Sequence, residues 1–219
     1  MAIRIGYIGD GAVGIGKETS YPITIGDKTY YAKFSVDPSN INSSGLFAAW
    51  LTTNRYMSCR VQNGTPCKLR LSNDTGTGNY WEFNIANYSV VVSVVIKYNT
   101  NTVGVPTVFV NGVQATVVTV GTAVSQPFTT NLTFFGYRGG GGVNGFSGTF
   151  YDFAMYDKLL SDRECKALSG GLIDPVIFSP NVLFRFLQNG SPFKSLIGRN
   201  NSTITNTYYS RHLPTNYLT

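Results

Sequence analysis

Charge is scarce in this chain: Asp, Glu, Lys and Arg together make up 13% of its 219 residues. Solubility therefore rests on neutral polar side chains, and Asn, Thr, Ser and Gly abound. That bias suits β-rich proteins that face the outside or are built into large particles. Histidine is reduced to His212, near the end of the chain and in no recognisable Ser-His-Asp pattern, so nucleophilic catalysis of that kind has no motif to rest on. The three cysteines, Cys59, Cys67 and Cys165, include no CxxC pair. An odd count without that spacing argues against a zinc site or a disulfide framework and for buried free thiols, with a Cys59–Cys67 bridge across a hairpin left open to geometry. No apolar run approaches the ~20 residues of a membrane helix. The opening MAIRIGYIGDG lacks a basic start followed by a long apolar segment, so no secretory signal is expected and synthesis in a cytoplasm follows.

Paired carboxylates are missing too. A glycosidase needs two acids flanking the scissile bond, whereas Glu82 stands alone on its strand, Asp152 has no acid beside it on its own face, and Asp157, Asp162 and Glu164 fall in a turn and a helix start. Calcium asks for several hard oxygen ligands; Asn73 with Asp74 and the distant Asn144 are a thin set that reads better as turn residues. No metal, cofactor or catalytic residue is therefore expected. The net charge of +6 is spread out: Arg55, Arg60, Lys68 and Arg70 lie near one another, Arg199 and Arg211 stand apart, and no basic run occurs. Solvated surface charge accounts for it better than nucleic acid does. Asn-x-Ser/Thr triplets such as that at Asn131 carry little meaning in so Asn- and Thr-rich a chain.

One motif is a decoy. Gly9, Gly11 and Gly14 fit G-x-G-x-x-G after the strand-like IRIGYI, and GAVGIGK misses a P-loop by one residue, with Glu18 where a magnesium-binding hydroxyl belongs. Either site needs a helix to open at those glycines so that its amides meet phosphate. Thr19, Ser20, Tyr21 and Pro22 intervene, and Ile23, Ile25 and Tyr30 resume an extended alternation, so a glycine-rich turn between strands is expected.

What is present is strand after strand. TYYAKFSV leads to a turn at Asp37-Pro38-Ser39-Asn40; GLFAAWLTTNRYMSCRV holds one or two strands with Trp50 placed to enter the core; Asn63-Gly64 marks a hairpin before CKLRLS. In YWEFNI, Trp81, Phe83 and Ile85 alternate with Tyr80, Glu82 and Asn84, and VVVSVVIKY is a continuous apolar run of the kind buried on both faces. Asn111-Gly112 is the strongest hairpin signal in the chain, since both central residues of a type I′ turn need positive φ. From Gly148, Thr149, Tyr151, Phe153 and Met155 alternate with Phe150, Asp152, Ala154 and Tyr156, one face apolar or aromatic and the other mixed. Ser161 with Glu164 makes a capping box, and the short helix it opens stops at Gly170-Gly171. Gly139 to Gly142 form a run whose missing side chains suit flexibility or a close approach of another chain.

The order of loop, F-x-G strand, aromatic before a turn and L-S-x-x-E helix, carried by Phe146, Gly148, Asp152, Tyr156, Leu160, Ser161 and Glu164, resembles the closing segment of laminin G-like, concanavalin A-like jelly rolls. The hairpin ending in V-N-G at Asn111-Gly112 resembles the central hairpin of the same superfamily. The resemblance implies an all-β, antiparallel β-sandwich of the concanavalin A-like jelly-roll type, with one short helix near 161–169. It spans roughly 28–171, leaving an N-terminal extension at 1–27 and a C-terminal extension at 172–219 that packs on the domain or on neighbouring subunits. Lectins, receptor-binding modules, viral structural proteins and glycosidases all use such folds.

With no acid pair, no export signal and an aromatic-rich tail, the expected role is a non-enzymatic structural and binding protein of a virus particle. A capsid decoration (cement) or fibre component of a tailed phage fits best, exposed on the particle surface. Its partners would be other virion proteins of capsid or tail and further copies of itself as a homo-oligomer, with no nucleic acid and no membrane insertion. The alternative is a carbohydrate-binding lectin module recognising surface glycans, in which Tyr80 or Tyr137 stacks on a sugar and Asn144 lies in the nearby glycine loop. Phe184, Phe186, Tyr208 and Tyr209 are the expected subunit contacts, because such aromatics would leave an apolar patch on a free monomer.

Overall fold

The computed structural model describes residues 3–5, 16–36, 44–52, 55–62, 64–73, 79–99, 104–122, 128–134, 136–139, 142–145, 148–185, 193–194, 201–204 and 208–209, with side chains described within 26–36, 45–47, 59–72, 79–122 and 148–183. In chain order the strands are β1 (Ile3–Ile5), β2 (Gly16–Ile25), β3 (Lys28–Val36), β4 (Ser44–Thr52), β5 (Arg55–Gln62), β6 (Lys68–Asn73) and β7 (Tyr80–Asn84). There follow β8 (Val92–Tyr98), β9 (Thr107–Val110), β10 (Val113–Gln114), β11 (Val118–Val120), β12 (Phe128–Phe134), β13 (Gly136–Gly139), β14 (Gly142–Gly145) and β15 (Gly148–Tyr156). Helix α1 (Asp162–Ser169) and a 3-10 turn (Pro175–Phe178) precede β16 (Val182–Arg185), β17 (Phe193–Lys194), β18 (Asn201–Ile204) and β19 (Tyr208–Tyr209).

The strands form two antiparallel sheets. The first runs β10-β9-β8-β3-β15-β1-β19, with β16 beside β1 on the same edge of β15; the second runs β11-β7-β6-β5-β4-β12-β2-β18-β17. A separate ribbon, β13-β14, lies against β4 and β5. The all-β sandwich with a short helix is thus observed. The stretches at 1–27 and from 172 on supply β1, β2 and β16 to β19 to the two sheets. β2 is extended from Gly16, and the glycines of the decoy motif at 9–14, with the turn expected there, lie outside the described residues. The turn expected at 37–40 lies outside them as well.

The main core fills the space between the sheets because period-2 alternation turns every second side chain inward. Tyr30 and Phe34 of β3, Phe47 of β4, Cys59 and Val61 of β5, Leu69 and Leu71 of β6, and Trp81 and Phe83 of β7 are all buried there. Burying each large apolar side chain contributes about 1.5–3 kcal/mol. Trp81 and Tyr98 meet edge to face at 6.2 Å, and Tyr30 stacks on Phe47 at 4.9 Å, the offset and T-shaped geometries aromatic pairs prefer. Trp50 stands opposite Tyr56 in the β4–β5 ladder, and its side chain lies outside the described residues.

A second core corrects the sequence reading of β15, whose Ala154 and Tyr156 face was expected to be mixed. Both are fully buried, with Tyr31, Val95 and Phe109, beneath Leu160, Cys165 and Leu168 of the helical segment. β8 is buried on both faces for the same reason, while Val90 and Val91, counted in its apolar run, precede the strand and are exposed. The capping box forms as read: Ser161 Oγ accepts from Glu164 N at 3.3 Å, and Glu164 Oε2 accepts from Ser161 N at 2.6 Å. Lys28 pairs with Asp157 at 2.6 Å and Lys97 with Asp162 at 2.6 Å, while Thr29 Oγ1 donates to Lys158 O and accepts from Leu160 N. Tyr156 Oη donates to Pro175 O at 2.8 Å, drawing the 3-10 turn onto the same face. These contacts cover the outer face of the first sheet where β3, β8, β9 and β15 lie beneath α1.

The hairpin at Asn111-Gly112 is the type I′ turn expected, with φ of 48° and 81°. Asn111 N donates to Ser93 O and its Oδ1 accepts from Ser93 N, both at 2.9 Å. The hairpin expected at Asn63-Gly64 is observed: β5 and β6 pair antiparallel up to Gln62 opposite Lys68, with Asn63 itself outside the described residues. β13 and β14 pair antiparallel up to Gly139 opposite Gly142, and residues 140–141 of the glycine run lie outside the described residues.

Candidate ligand-binding face

Since β5, β6 and β7 put Cys59, Val61, Leu69, Leu71, Trp81 and Phe83 into the core, their alternate residues stand on the outer face of the second sheet. Register aligns these in cross-strand rows. One row is Arg60, Arg70, Glu82 and Val118; the next is Gln62, Lys68 and Asn84. Charge gathers on this face, as it does around Lys33 and Asp152 on the first sheet.

The row is held in a defined geometry. Glu82 accepts from Arg70 Nη2 through Oε2 at 3.2 Å and pairs with Lys68 Nζ through Oε1 at 2.7 Å. Burial raises its pKa, but the bonds and charges of Lys68 and Arg70 outweigh that and hold the carboxyl below the usual carboxylate range. A glutamate so held stays ionised at neutral pH and has no proton to give, so it orients cations and does not act as a general acid. The Arg70 guanidinium lies 3.7 Å from the centre of the Tyr80 ring, a cation–π contact that fixes both groups. Its Nε is buried without a hydrogen-bond partner among the described residues. Arg70 is 21% exposed, Glu82 14% and Lys68 45%; the row is half-sheltered, so water screens its charges incompletely.

Of the contacts expected from sequence, Tyr80 belongs to this face. Tyr137 and Asn144 are cross-strand partners in the β13–β14 ribbon. Phe184 stands opposite Phe153 in the β15–β16 ladder, and Tyr208 and Tyr209 stand opposite Arg4 and Ile3. Their backbone positions thus lie on the ribbon, on β16 beside β15, and on β19 beside β1. The side chains of Tyr137, Asn144, Phe184, Tyr208 and Tyr209 lie outside the described residues, as do Phe186, His212 and Asp74. What sequence reasoning missed is the pairing of Arg60, Lys68, Arg70 and Glu82, which it left as scattered charge. The signal was the i, i+2 spacing of Lys68 with Arg70 and of Tyr80 with Glu82 on neighbouring strands, readable only once the register is known.

Acids elsewhere have structural duties: Asp157 and Asp162 are in ion pairs and Glu164 caps the helix. No group of three or more His, Cys, Asp or Glu suited to a metal occurs among the described residues. Cys59, Cys67 and Cys165 are free and buried. Burial pushes the Cys165 thiol up to about 12 and raises those of Cys59 and Cys67. No described helix is long and apolar enough to cross a membrane.

No family model and no curated protein matches the chain. Solved structures do. The chain has the lectin-type jelly-roll fold. A native heptameric SAP-like pentraxin from Limulus polyphemus superposes with a TM-score of 0.61 at 14% identity, covering 93% of each chain. The CBM40 of a Ruminococcus gnavus IT-sialidase, bound to α2,3-sialyllactose, gives 0.60 at 18% identity over 77% of this chain and 96% of that one. A Bacteroides ovatus protein provisionally described as carbohydrate-binding gives 0.64 at 15% identity, over 95% of this chain and 59% of the other. At such identities the likeness is one of fold.

Proposed function

We propose that the protein is a non-enzymatic glycan-binding module whose ligand lies on the outer face of the second sheet. The observation that carries this reading is the half-sheltered row of Arg60, Arg70 and Glu82 with the Tyr80 ring fixed beside it. A sugar offers hydroxyls to charged hydrogen-bonding groups and an apolar ring face to an aromatic, and this row supplies both. The other outer face, by contrast, is covered at Tyr31, Val95, Phe109, Ala154 and Tyr156 by the helical segment. The carbohydrate-binding neighbours support the reading through their shared fold. It corresponds to the alternative drawn from sequence, and those neighbours favour it over the structural role in a virion.

Screening the purified protein against an array of neutral and acidic glycans tests this. Binding that falls at least tenfold in Tyr80→Ala is expected, with no turnover of any bound glycan; an array without a positive spot overturns the reading. Placement on a virus particle is a separate proposal, resting on the low charge and neutral polar composition. A glycan-binding fibre would satisfy both. Immunogold labelling of purified particles checks it, and unlabelled particles would exclude it.

A further inference from the structure

We propose that β11 is a docking edge for a second copy of this chain, the two β11 strands pairing antiparallel about a two-fold axis through Thr119. β11 ends the second sheet: it pairs with β7 on one side, and no described strand pairs with the other. Such an edge presents backbone N–H and C=O groups to any extended partner, and proteins commonly blunt their edges with charge, proline or bulges. None of these occurs in Val118, Thr119 and Val120, which stand opposite Glu82, Trp81 and Tyr80 in unbroken register. From Tyr98 to Tyr137 the sequence has no Asp, Glu, Lys or Arg at all. Val118 is 56% exposed, an apolar side chain held in water at the rim of the sheet. The rim of the first sheet is alike: it ends at β10, where Val113 is 68% exposed. Residues 115–117 join β10 to β11, and so short a connection keeps both rims on one side of the sandwich.

A second copy fits this edge because the edge is complementary to itself. With Thr119 at the axis, every residue of β11 gains a partner: Thr119 meets its own counterpart and Val118 meets the other copy's Val120, pairs that favour a sheet. Each copy carries a net charge of +6, yet no like charges are opposed along these strands. The same axis turns the β10 rim of one copy toward that of the other, whereas a foreign peptide would gain only the backbone bonds of three residues. The contact is small. Standard complexes bury about 800 Å² per partner, more than so short a strand covers, so the pair forms at micromolar concentration or above. The axis is perpendicular to the sheet, which leaves both outer faces on the same side. The two copies of Arg70 are then five strand spacings apart, roughly 24 Å, and the valines of both strands floor the space between the two Tyr80–Glu82 pairs. Resting on the glycan-binding reading, this arrangement lets two sites engage clustered glycans together and gain avidity.

Oxidative trapping tests the pairing. Opposed residues of an antiparallel pair have Cα atoms about 4.5–5.5 Å apart, inside the disulfide range of about 4.4–6.8 Å, so Thr119→Cys should form a covalent dimer under mild oxidation. Thr116→Cys is the control. Exposed like Thr119 but three residues from the axis, it would stand roughly 20 Å from its counterpart and should crosslink at least about tenfold more slowly. Cys59, Cys67 and Cys165 are buried, so the wild type supplies the background. Sedimentation equilibrium of the wild type should show a concentration-dependent dimer that Thr119→Lys abolishes, because two lysines would be opposed at the axis. Binding to a densely coated glycan surface should fall at least about tenfold in Thr119→Lys, with affinity for the same glycan in soluble, monovalent form within about twofold of wild type. Equal trapping of Thr119→Cys and Thr116→Cys, a wild type that stays monomeric at every concentration, or a dimer that survives Thr119→Lys overturns the edge pairing. Selective trapping of Thr119→Cys in a protein that binds no glycan upholds the pairing and overturns only the glycan-binding reading.

Discussion

Replacing Gly112 by alanine should be among the most damaging single-methyl changes in this protein. Gly112 has φ of +81°, where an L-residue costs about 1–2 kcal/mol. Its added Cβ would also come within 3.2 Å of Gly170 Cα, backbone at the end of α1, and 3.6 Å of Lys166 O. Neither atom is the tip of a flexible side chain, so the turn or the helix end must move, and overpacking of that kind costs about 1–3 kcal/mol. The bond from Gly112 N to Ser169 Oγ, 3.1 Å, would be strained by the same movement. The expected loss is about 2–5 kcal/mol, or roughly 4–20 °C in melting midpoint for a chain of this size. Gly171→Ala separates the two causes. It also has positive φ, +71°, but a Cβ there meets nothing within 4 Å, so it should lose only the conformational part, about 1–2 kcal/mol. Gly26→Ala, with open space and no left-handed φ, should be neutral or slightly stabilising. Thermal and urea unfolding followed by circular dichroism measure all three. Equal losses at Gly112 and Gly171 would show that the contact between hairpin and helix end contributes nothing.

Other expectations follow from single contacts. Glu82→Gln should cost up to about 1 kcal/mol at pH 7; because its folded pKa is depressed, that contribution is complete above the ordinary glutamate value of about 4.3 and disappears as pH falls through the folded pKa, so wild type and variant should converge in acid. Convergence at high pH instead would mean the ion pairs are not what holds Glu82. Ser161→Ala removes the cap of α1 and should cost about 1 kcal/mol, read as a lower urea midpoint with unchanged slope. Cys59 and Cys165 should react with a thiol reagent only as fast as the protein unfolds, since burial disfavours their thiolates; fast labelling of the native protein would contradict the packing. Removing residues 172–219 strips β16 from β15 and takes the buried Val182 and Leu183 out of the two cores, so the truncated chain should melt many degrees lower or be insoluble. A truncated chain that melts like the whole but no longer associates would make the tail an assembly element.

The sequence by itself determined the strands with strong local signals. The alternation in β7, the apolar run of β8, the Asn111-Gly112 turn and the Ser161–Glu164 capping box depend on residues a few positions apart, and their physics is complete within that distance. Even the extended course of the chain around Ile23 and Ile25 was readable from Pro22 and its neighbours. Tertiary structure decided what depends on register and layering. β15 is buried on both faces because a helix more than five residues further on folds back over it, which no property of β15 announces. Arg60, Lys68, Arg70 and Glu82 are scattered charges along the chain and neighbours on two adjacent rows of the sheet, because a shift of a single residue in the β5–β6 or β6–β7 pairing would break that alignment. The fold was legible since local rules repeat along the chain; the candidate site was not, since it exists only where three strands agree on their register.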